Sequence, residues 1–176
     1  SNKNMTTLGE GGAVVTNDSA FAETVRQGKT FGYVYGPELR VVSVGSKYRL
    51  TKVQAAVGLT QLAKVDSVIA ARLKNFRVMS ERLAGIEGIG RPAGLADGHA
   101  CHLFVIRLDL EKLGGTRDDF RRRLRDGYGV GTAVHYPAVW DWEVARAFAF
   151  DNSACPETER VCRSVVSLPV FPGSTD

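Results

Sequence analysis

Apolar residues recur at Ile69, Leu73, Phe76, Met79 and Leu83, with gaps of four, three, three and four. That is the 3.6-residue rhythm of a helix with one buried face, and it predicts a helix from Asp66 to about Leu83. Just before it, Val53, Ala56, Val57, Leu62 and Ala63 keep a broad apolar face behind Thr51, a good N-cap residue, and predict a second helix. Towards the start, Gly12–Thr16 reads as a short strand, and the cluster Asn17-Asp18-Ser19 caps a helix carrying Phe21 and Val25 that ends near Gly28. Residues 29–46 are rich in glycine and aromatics and read as a long loop, with a short strand at Leu39–Val44.

The second part of the chain alternates. Residues 85–98 form a connector punctuated by glycine and proline, with a short strand near Ile89, and His102–Asp109 reads as a strand. Thr116 with Asp119 three residues on has the form of a capping box, opening a helix that should run to about Arg125 and stop at Asp126-Gly127. Val130–Tyr136 reads as a strand ended by Pro137. Trp140–Phe148 and Glu157–Val165 read as helices, Ser167–Val170 as a strand, and Val170–Asp176 as a strand exit leading to a helix start capped by Thr175 or Asp176. Strand and helix in alternation predict an α/β sandwich.

Composition narrows the functional classes. The 176 residues are 44% hydrophobic and 24% charged, ordinary for a globular protein of one domain. No apolar run is long enough to span a bilayer, and no secretory signal is present, so no membrane partner is expected. The net charge of +4 is modest. Its densest basic cluster, Arg121-Arg122-Arg123 with Arg125, shares a helical pattern with Phe120 and Leu124 and reads as a solvated face, so no nucleic-acid partner is expected. Cys101, Cys155 and Cys162 are odd in number and lack metal-ligand spacing; they read as buried free thiols in a reducing, cytoplasmic setting, with no metal.

The chemistry-bearing candidate sits at the start. Lys3 lies in a polar stretch just ahead of the glycine cluster Gly9-Glu10-Gly11-Gly12. Glycines admit positive φ and close backbone approach, as a tight loop around a bulky ligand needs. A lysine held by such a loop can form a Schiff base with an aldehyde cofactor. The same residues also suit a solvated lysine before a hairpin turn.

A family resemblance separates the two. Lys3-Asn4-Met5-Thr6-Thr7-Leu8-Gly9-Glu10-Gly11-Gly12 resembles the cofactor-lysine loop of the DegT/DnrJ/EryC1/StrS family, pyridoxal-phosphate-dependent aminotransferases of keto-sugars and cyclitols. Val44-Gly45-Ser46-Lys47-Tyr48-Arg49-Leu50-Thr51 and the following Gln54–Leu62 are similar to the family's Gly-x-Asn-Tyr-Arg segment and its helix. His135-Tyr136-Pro137 and Cys155-Pro156 leading to Ser167-Leu168-Pro169 match further family segments in the same order. The resemblance implies the aspartate-aminotransferase-like (type I) fold. Residues 1–64 would be a remnant of the large cofactor-binding domain; residues 65–176 would be a linking helix and the small C-terminal α/β sandwich.

It also implies site roles. Lys3 would be the lysine joined to pyridoxal 5′-phosphate, with Asn4, Thr6 and Thr7 holding the loop. Glu10, in the glycine turn, would accept backbone N–H bonds or touch substrate, the former favoured. Lys47 departs from the family, which has Asn there, donated across a dimer interface to the neighbouring subunit's cofactor phosphate; a lysine can bind phosphate as a point charge. Arg49 would bind the carboxylate of the amino donor or brace the helix start. His135 and Tyr136 would lie near the substrate mouth. Trp140 stands where many relatives have a further His, and is read as a ring for a sugar or nucleobase face or as a core anchor.

Relatives carry this lysine near the middle of a chain about twice as long. The expectation is therefore a fragment that lacks most of the first half, including the ring stacked on the cofactor, the acid paired with its ring nitrogen and several phosphate donors. The whole protein would be a homodimeric aminotransferase moving nitrogen from glutamate or glutamine to a nucleotide-linked keto-sugar or a cyclitol. Two alternatives stand beside it: a sugar dehydratase of the same family, against which Lys3 argues because those relatives usually carry His there, and a catalytically silent folding or dimerisation partner.

Overall fold

The computed structural model describes residues 3–148 and 152–173 and divides the chain into two compact units, Ser1–Val65 and Asp66–Asp176. The expected N-cap at Thr175 or Asp176 lies outside the described residues.

The first unit is built on two helices and a small hairpin. Helix α1 spans Ser19–Gly28, and Asp18 caps it by accepting from the N–H groups of Ala20 and Phe21 at 2.9 and 3.0 Å. Strands β1 (Tyr33–Val34) and β2 (Arg40–Val41) pair antiparallel within the expected long loop. Helix α2 (Lys52–Leu62) opens with a capping box between Thr51 and Gln54. Gly12–Thr16 is not a strand: no partner lies beside it among the described residues, and an unpaired strand leaves its backbone groups unsatisfied. Val14 and Val15 are accordingly exposed. The described residues of this unit that are buried are Thr30 and Gly32, so it has little core of its own.

The second unit has a true core. Helix α3 (Val65–Arg82) carries the predicted apolar stripe, with Phe76 buried and Leu73, Met79 and Leu83 packed against the core cluster. Strands β3 (Ile89–Gly90), β4 (Phe104–Leu108) and β5 (Val165–Leu168) form an antiparallel sheet in the order β3-β4-β5. Alternation along β4 sends Phe104, Ile106 and Leu108 into the core, and Phe104 meets the Phe76 ring at a centroid distance of 4.6 Å. On β5 Val166 and Ser167 are both buried, so that strand is covered on both faces.

Helices α4 (Leu110–Leu113), α5 (Arg117–Tyr128) and α6 (Pro156–Ser164) complete the unit. The Thr116–Asp119 capping box forms as expected. Helix α5 runs three residues past Arg125, through the expected stop at Asp126-Gly127: an interior glycine costs a helix only about 1 kcal/mol, so Gly127 is tolerated, and Gly129, at φ 67°, closes the helix in the left-handed conformation. Short α4 was not foreseen; Asp109 caps it.

Two further expectations are corrected. Val130–Tyr136 is not a strand; it contributes one bridge, Ala133 to Ser167, with Gly131 and Pro137 on either side. Trp140–Phe148 is not an α-helix but two 3₁₀ turns, Val139–Asp141 and Glu143–Ala147, separated by Trp142 in an extended conformation. No helix among the described residues is long and apolar enough to cross a membrane.

Candidate functional site

The loop that starts at Lys3 is shaped by its own threonines. Thr6 Oγ1 accepts from the Leu8 N–H, and Thr7 Oγ1 donates to the Gly9 carbonyl, both at 3.3 Å. Leu8 and Gly9 both have positive φ, 60° and 143°, which turns the chain sharply. Thr7 lies beside Gly58 of α2, where an added Cβ would come within 3.4 Å of its methyl group. The Lys3 loop is thus braced on α2, while the Lys3 side chain is exposed. Glu10 is exposed too and does not sit buried within the glycine turn.

The segment before α2 is fixed by two glycines. A Cβ on Gly32, at φ 74°, would lie 1.7 Å from the Ser43 carbonyl oxygen, and one on Gly45 would lie 2.5 Å from the Gly32 nitrogen. Only bare backbone fits there. The close approach lets Ser46 N–H donate to Gly28 O at 2.8 Å and Tyr48 N–H to Lys29 O at 3.0 Å. Lys47, between them, bridges Thr30 and holds its ammonium 5.9 Å from the centre of the Phe31 ring, a cation–π contact. Arg49 is exposed and makes no ion pair among the described residues. Lys3, Lys47 and Arg49 share the first unit, the Lys3 loop resting on Gly58 of α2 and the Lys47–Arg49 segment leading into the start of that helix.

His135 and Tyr136 belong to the second unit. Their rings meet edge to face at 5.1 Å, with His135 half-buried and Tyr136 exposed. His135 Nδ1 lies 2.8 Å from the hydroxyl of Ser167 on β5. Ser167 carries no chemistry in the sequence reading; only its place in the Ser167-Leu168-Pro169 segment marked it. Trp140 is half-buried, its indole N–H donating to Glu159 at 2.9 Å.

Charged side chains on α5 pair with one another. Arg121 pairs with Asp118, Arg122 with Asp119 and Arg125 with Asp126, the solvated face that was expected. Of the three free cysteines, Cys101 is buried, Cys162 half-buried and Cys155 exposed, which corrects the expectation that all are buried. Burial pushes the Cys101 thiol up, against the opposing pull of Arg72 and Arg77. His99 Nδ1 lies 3.2 Å from the Cys101 sulfur, a contact no sequence pattern signalled.

A model of the DegT/DnrJ/EryC1/StrS aminotransferase family matches residues 1–176. The chain belongs to that family. Solved structures similar in fold to this chain include proteins described as sugar aminotransferases. DesV of S. venezuelae is 31% identical, with a TM-score of 0.79 over 92% of this chain and 42% of its own. The sugar aminotransferase CalS13 of Micromonospora echinospora is 24% identical, with a TM-score of 0.84 over 98% of this chain and 46% of its own. A putative sugar aminotransferase of Streptococcus pneumoniae, Spr1654, is 20% identical with a TM-score of 0.77 in its PLP-form and is also known in a PMP-form. The DegT-family chain thus has the mixed helix–sheet fold of these enzymes and spans less than half of their length.

The residues present fit part of a pyridoxal phosphate site. An exposed amine on a braced loop suits an aldehyde, and a cation on a backbone pinned by Gly45 suits a phosphate. An aromatic ring stacked on the cofactor and an acid for its ring nitrogen are not assigned to any described residue.

Proposed function

We propose that the protein carrying this chain is an aminotransferase that uses pyridoxal 5′-phosphate to move an amino group from glutamate or glutamine to the keto carbon of a nucleotide-linked sugar or a cyclitol. The observation that carries this reading is the family match along all 176 residues, beginning with the Lys3 loop. When bound, the cofactor supplies an aldehyde for the amine and a ring that takes up an electron pair. Lys3 holds it through its amine, then acts as general acid–base and carries the proton removed from the amino-bearing carbon. Lys47 supplies a positive charge to the phosphate, across the subunit interface of a homodimer. Arg49 takes the carboxylate of the donor. His135 and Tyr136 contact the sugar or cyclitol. The free thiols suit a cytoplasmic setting.

The test uses a protein in which this sequence is joined to the large-domain portion its relatives carry. With glutamate and a nucleotide-linked keto-sugar it should form an amino-sugar, and Lys3→Ala should lower kcat by at least about a thousandfold. A dehydrated sugar as the sole product, or full activity in Lys3→Ala, would overturn the reading.

A second reading concerns this chain by itself: it binds the cofactor weakly and turns nothing over. The sparse core of the first unit supports it, together with an open groove of about 1190 Å³ lined by residues such as Ala13, Val14, Val25, Val44 and Leu50. Titrating the 176-residue chain with pyridoxal phosphate should give little of the absorbance band of a lysine-bound cofactor; tight, stoichiometric capture would refute this.

A further inference from the structure

We propose that Ser167 is a positioning residue that locks His135 as a hydrogen-bond donor, with its proton on Nε2, towards an acceptor oxygen of the keto-substrate. The first step is geometric. Ser167 sits in β5 with its N–H donating to Ala133 O at 2.8 Å and its carbonyl accepting from Ala133 N–H at 3.1 Å. Both of its backbone groups are thus tied to Ala133, and the residue is 4% exposed. The hydroxyl therefore has a fixed origin, and it reaches His135 Nδ1 at 2.8 Å across 32 residues of sequence.

The second step is chemical. Among the described residues Ser167 Oγ has no other hydrogen-bond partner. A buried hydroxyl with one neighbour gives that neighbour its proton, because an unmet O–H donor costs more than an unfilled lone pair. Nδ1 is then the acceptor, and the neutral ring must carry its hydrogen on Nε2. Nε2 has no partner among the described residues, which leaves its N–H for a ligand. A ring fixed this way cannot act as a base through Nε2; it recognises a carbonyl, hydroxyl or phosphoryl oxygen. The Tyr136 ring, edge to face at 5.1 Å, restricts the imidazole from one side.

This rests on the proposed placement of His135 at the substrate, but the lock itself is measurable without turnover. Nitrogen-15 NMR of the imidazoles, on the intact 176-residue chain at a pH where His135 is neutral, should give a pyridine-like Nδ1 and a pyrrole-like Nε2. Ser167→Ala should move those shifts towards an averaged tautomer pattern while the amide spectrum stays folded, and Ser167→Thr, which keeps a hydroxyl, should restore them. A dominant Nδ1–H tautomer, or shifts unmoved by Ser167→Ala, would overturn the proposal. If Ser167→Ala does not fold, the tautomer of the unaltered chain alone decides.

In the protein that joins this sequence to the large-domain portion of its relatives, Ser167→Ala should raise KM for the keto-substrate about fivefold with kcat changed less than twofold, and Ser167→Thr should recover most of it. An intact Nε2–H tautomer with KM unmoved would remove the substrate half of the proposal. Failure of the unaltered enzyme to aminate any keto-sugar or cyclitol would instead refute the proposed function, leaving the NMR result to judge the lock. Loss on a nucleotide-linked sugar and on a free cyclitol alike assigns the contact to a ring oxygen; loss on the first alone assigns it to the diphosphate.

Discussion

The guanidinium of Arg72, buried in the middle of α3, donates to the backbone carbonyl of Val170 just beyond β5. One charged hydrogen bond thus ties the longest helix of the second unit to the segment that leaves its sheet. Burial lowers the basicity of this arginine, partly offset by Cys101. Asn75 reinforces the tie, its amide donating to Phe171 O at 2.8 Å. Hydrogen bonds to charged groups contribute about 1.5–3 kcal/mol each. Arg72→Ala should therefore lower the unfolding free energy of the second unit by about 2–3 kcal/mol in urea, and Arg72→Lys should recover only part, since a single ammonium cannot reproduce the planar donor fork. An unchanged denaturation midpoint in Arg72→Ala would contradict this.

The N-terminus of α5 should carry an acid-sensitive share of stability. Asp119 is held below the usual carboxylate range first by the Thr116 side chain and then by its backbone N–H, with smaller help from Arg122 and Arg123. A carboxyl whose folded pKa is depressed stabilises the fold above its unfolded pKa of about 3.9, and that contribution is lost as pH falls through the lower folded value. Thermal unfolding followed from pH 6 down to about pH 2 should thus show Asp119→Asn with a shallower acid limb than the unaltered chain. Thr116→Ala should cost about 1 kcal/mol at neutral pH through the lost N-cap.

The thiols give a prediction that separates burial from titration. Cys155 is exposed, Cys162 half-buried and Cys101 fully covered, with its thiol pushed up by burial. Thiolate is the reactive form, so access and deprotonation act in the same direction. Under native conditions an iodoacetamide time course read by peptide mass spectrometry should label Cys155 first, then Cys162, with Cys101 reacting only on unfolding. Early labelling of Cys101 would mean that the core around Phe76 and Phe104 opens more readily than its packing indicates.

What the sequence made legible follows from how local each signal is. The α3 stripe, the Asp18, Thr51 and Thr116 caps, and the alternation in β4 are set by residues within one or two turns of each other, and they appear as expected. The misses depend on distant partners. Gly12–Thr16 has strand composition but pairs with no strand among the described residues, and Val130–Tyr136 meets β5 only at Ala133. The site divides the same way. Lys3, Lys47, Arg49, His135 and Tyr136 stand in short recognisable segments, whereas the Ser167–His135 and Lys47–Phe31 contacts join residues through the fold and no spacing rule announces them.

Lys47 is the residue whose proposed role can be measured most directly, because the family supplies its natural control, an asparagine. Its ammonium sits over Phe31, and the backbone beneath it is pinned by Gly32 and Gly45. If it serves the cofactor phosphate as a charge, its share of binding is electrostatic and should weaken with salt. In the protein that joins this sequence to the large-domain portion of its relatives, Lys47→Ala should weaken pyridoxal phosphate binding about tenfold at low ionic strength and by less at high salt. Lys47→Asn should retain part of the affinity through a neutral amide donor and lose most of the salt dependence. Absorbance titration at two ionic strengths reads both quantities. If Lys47→Ala and Lys47→Asn match the unaltered protein at low salt, the lysine serves only to pack on Phe31, and the phosphate is held entirely by groups elsewhere.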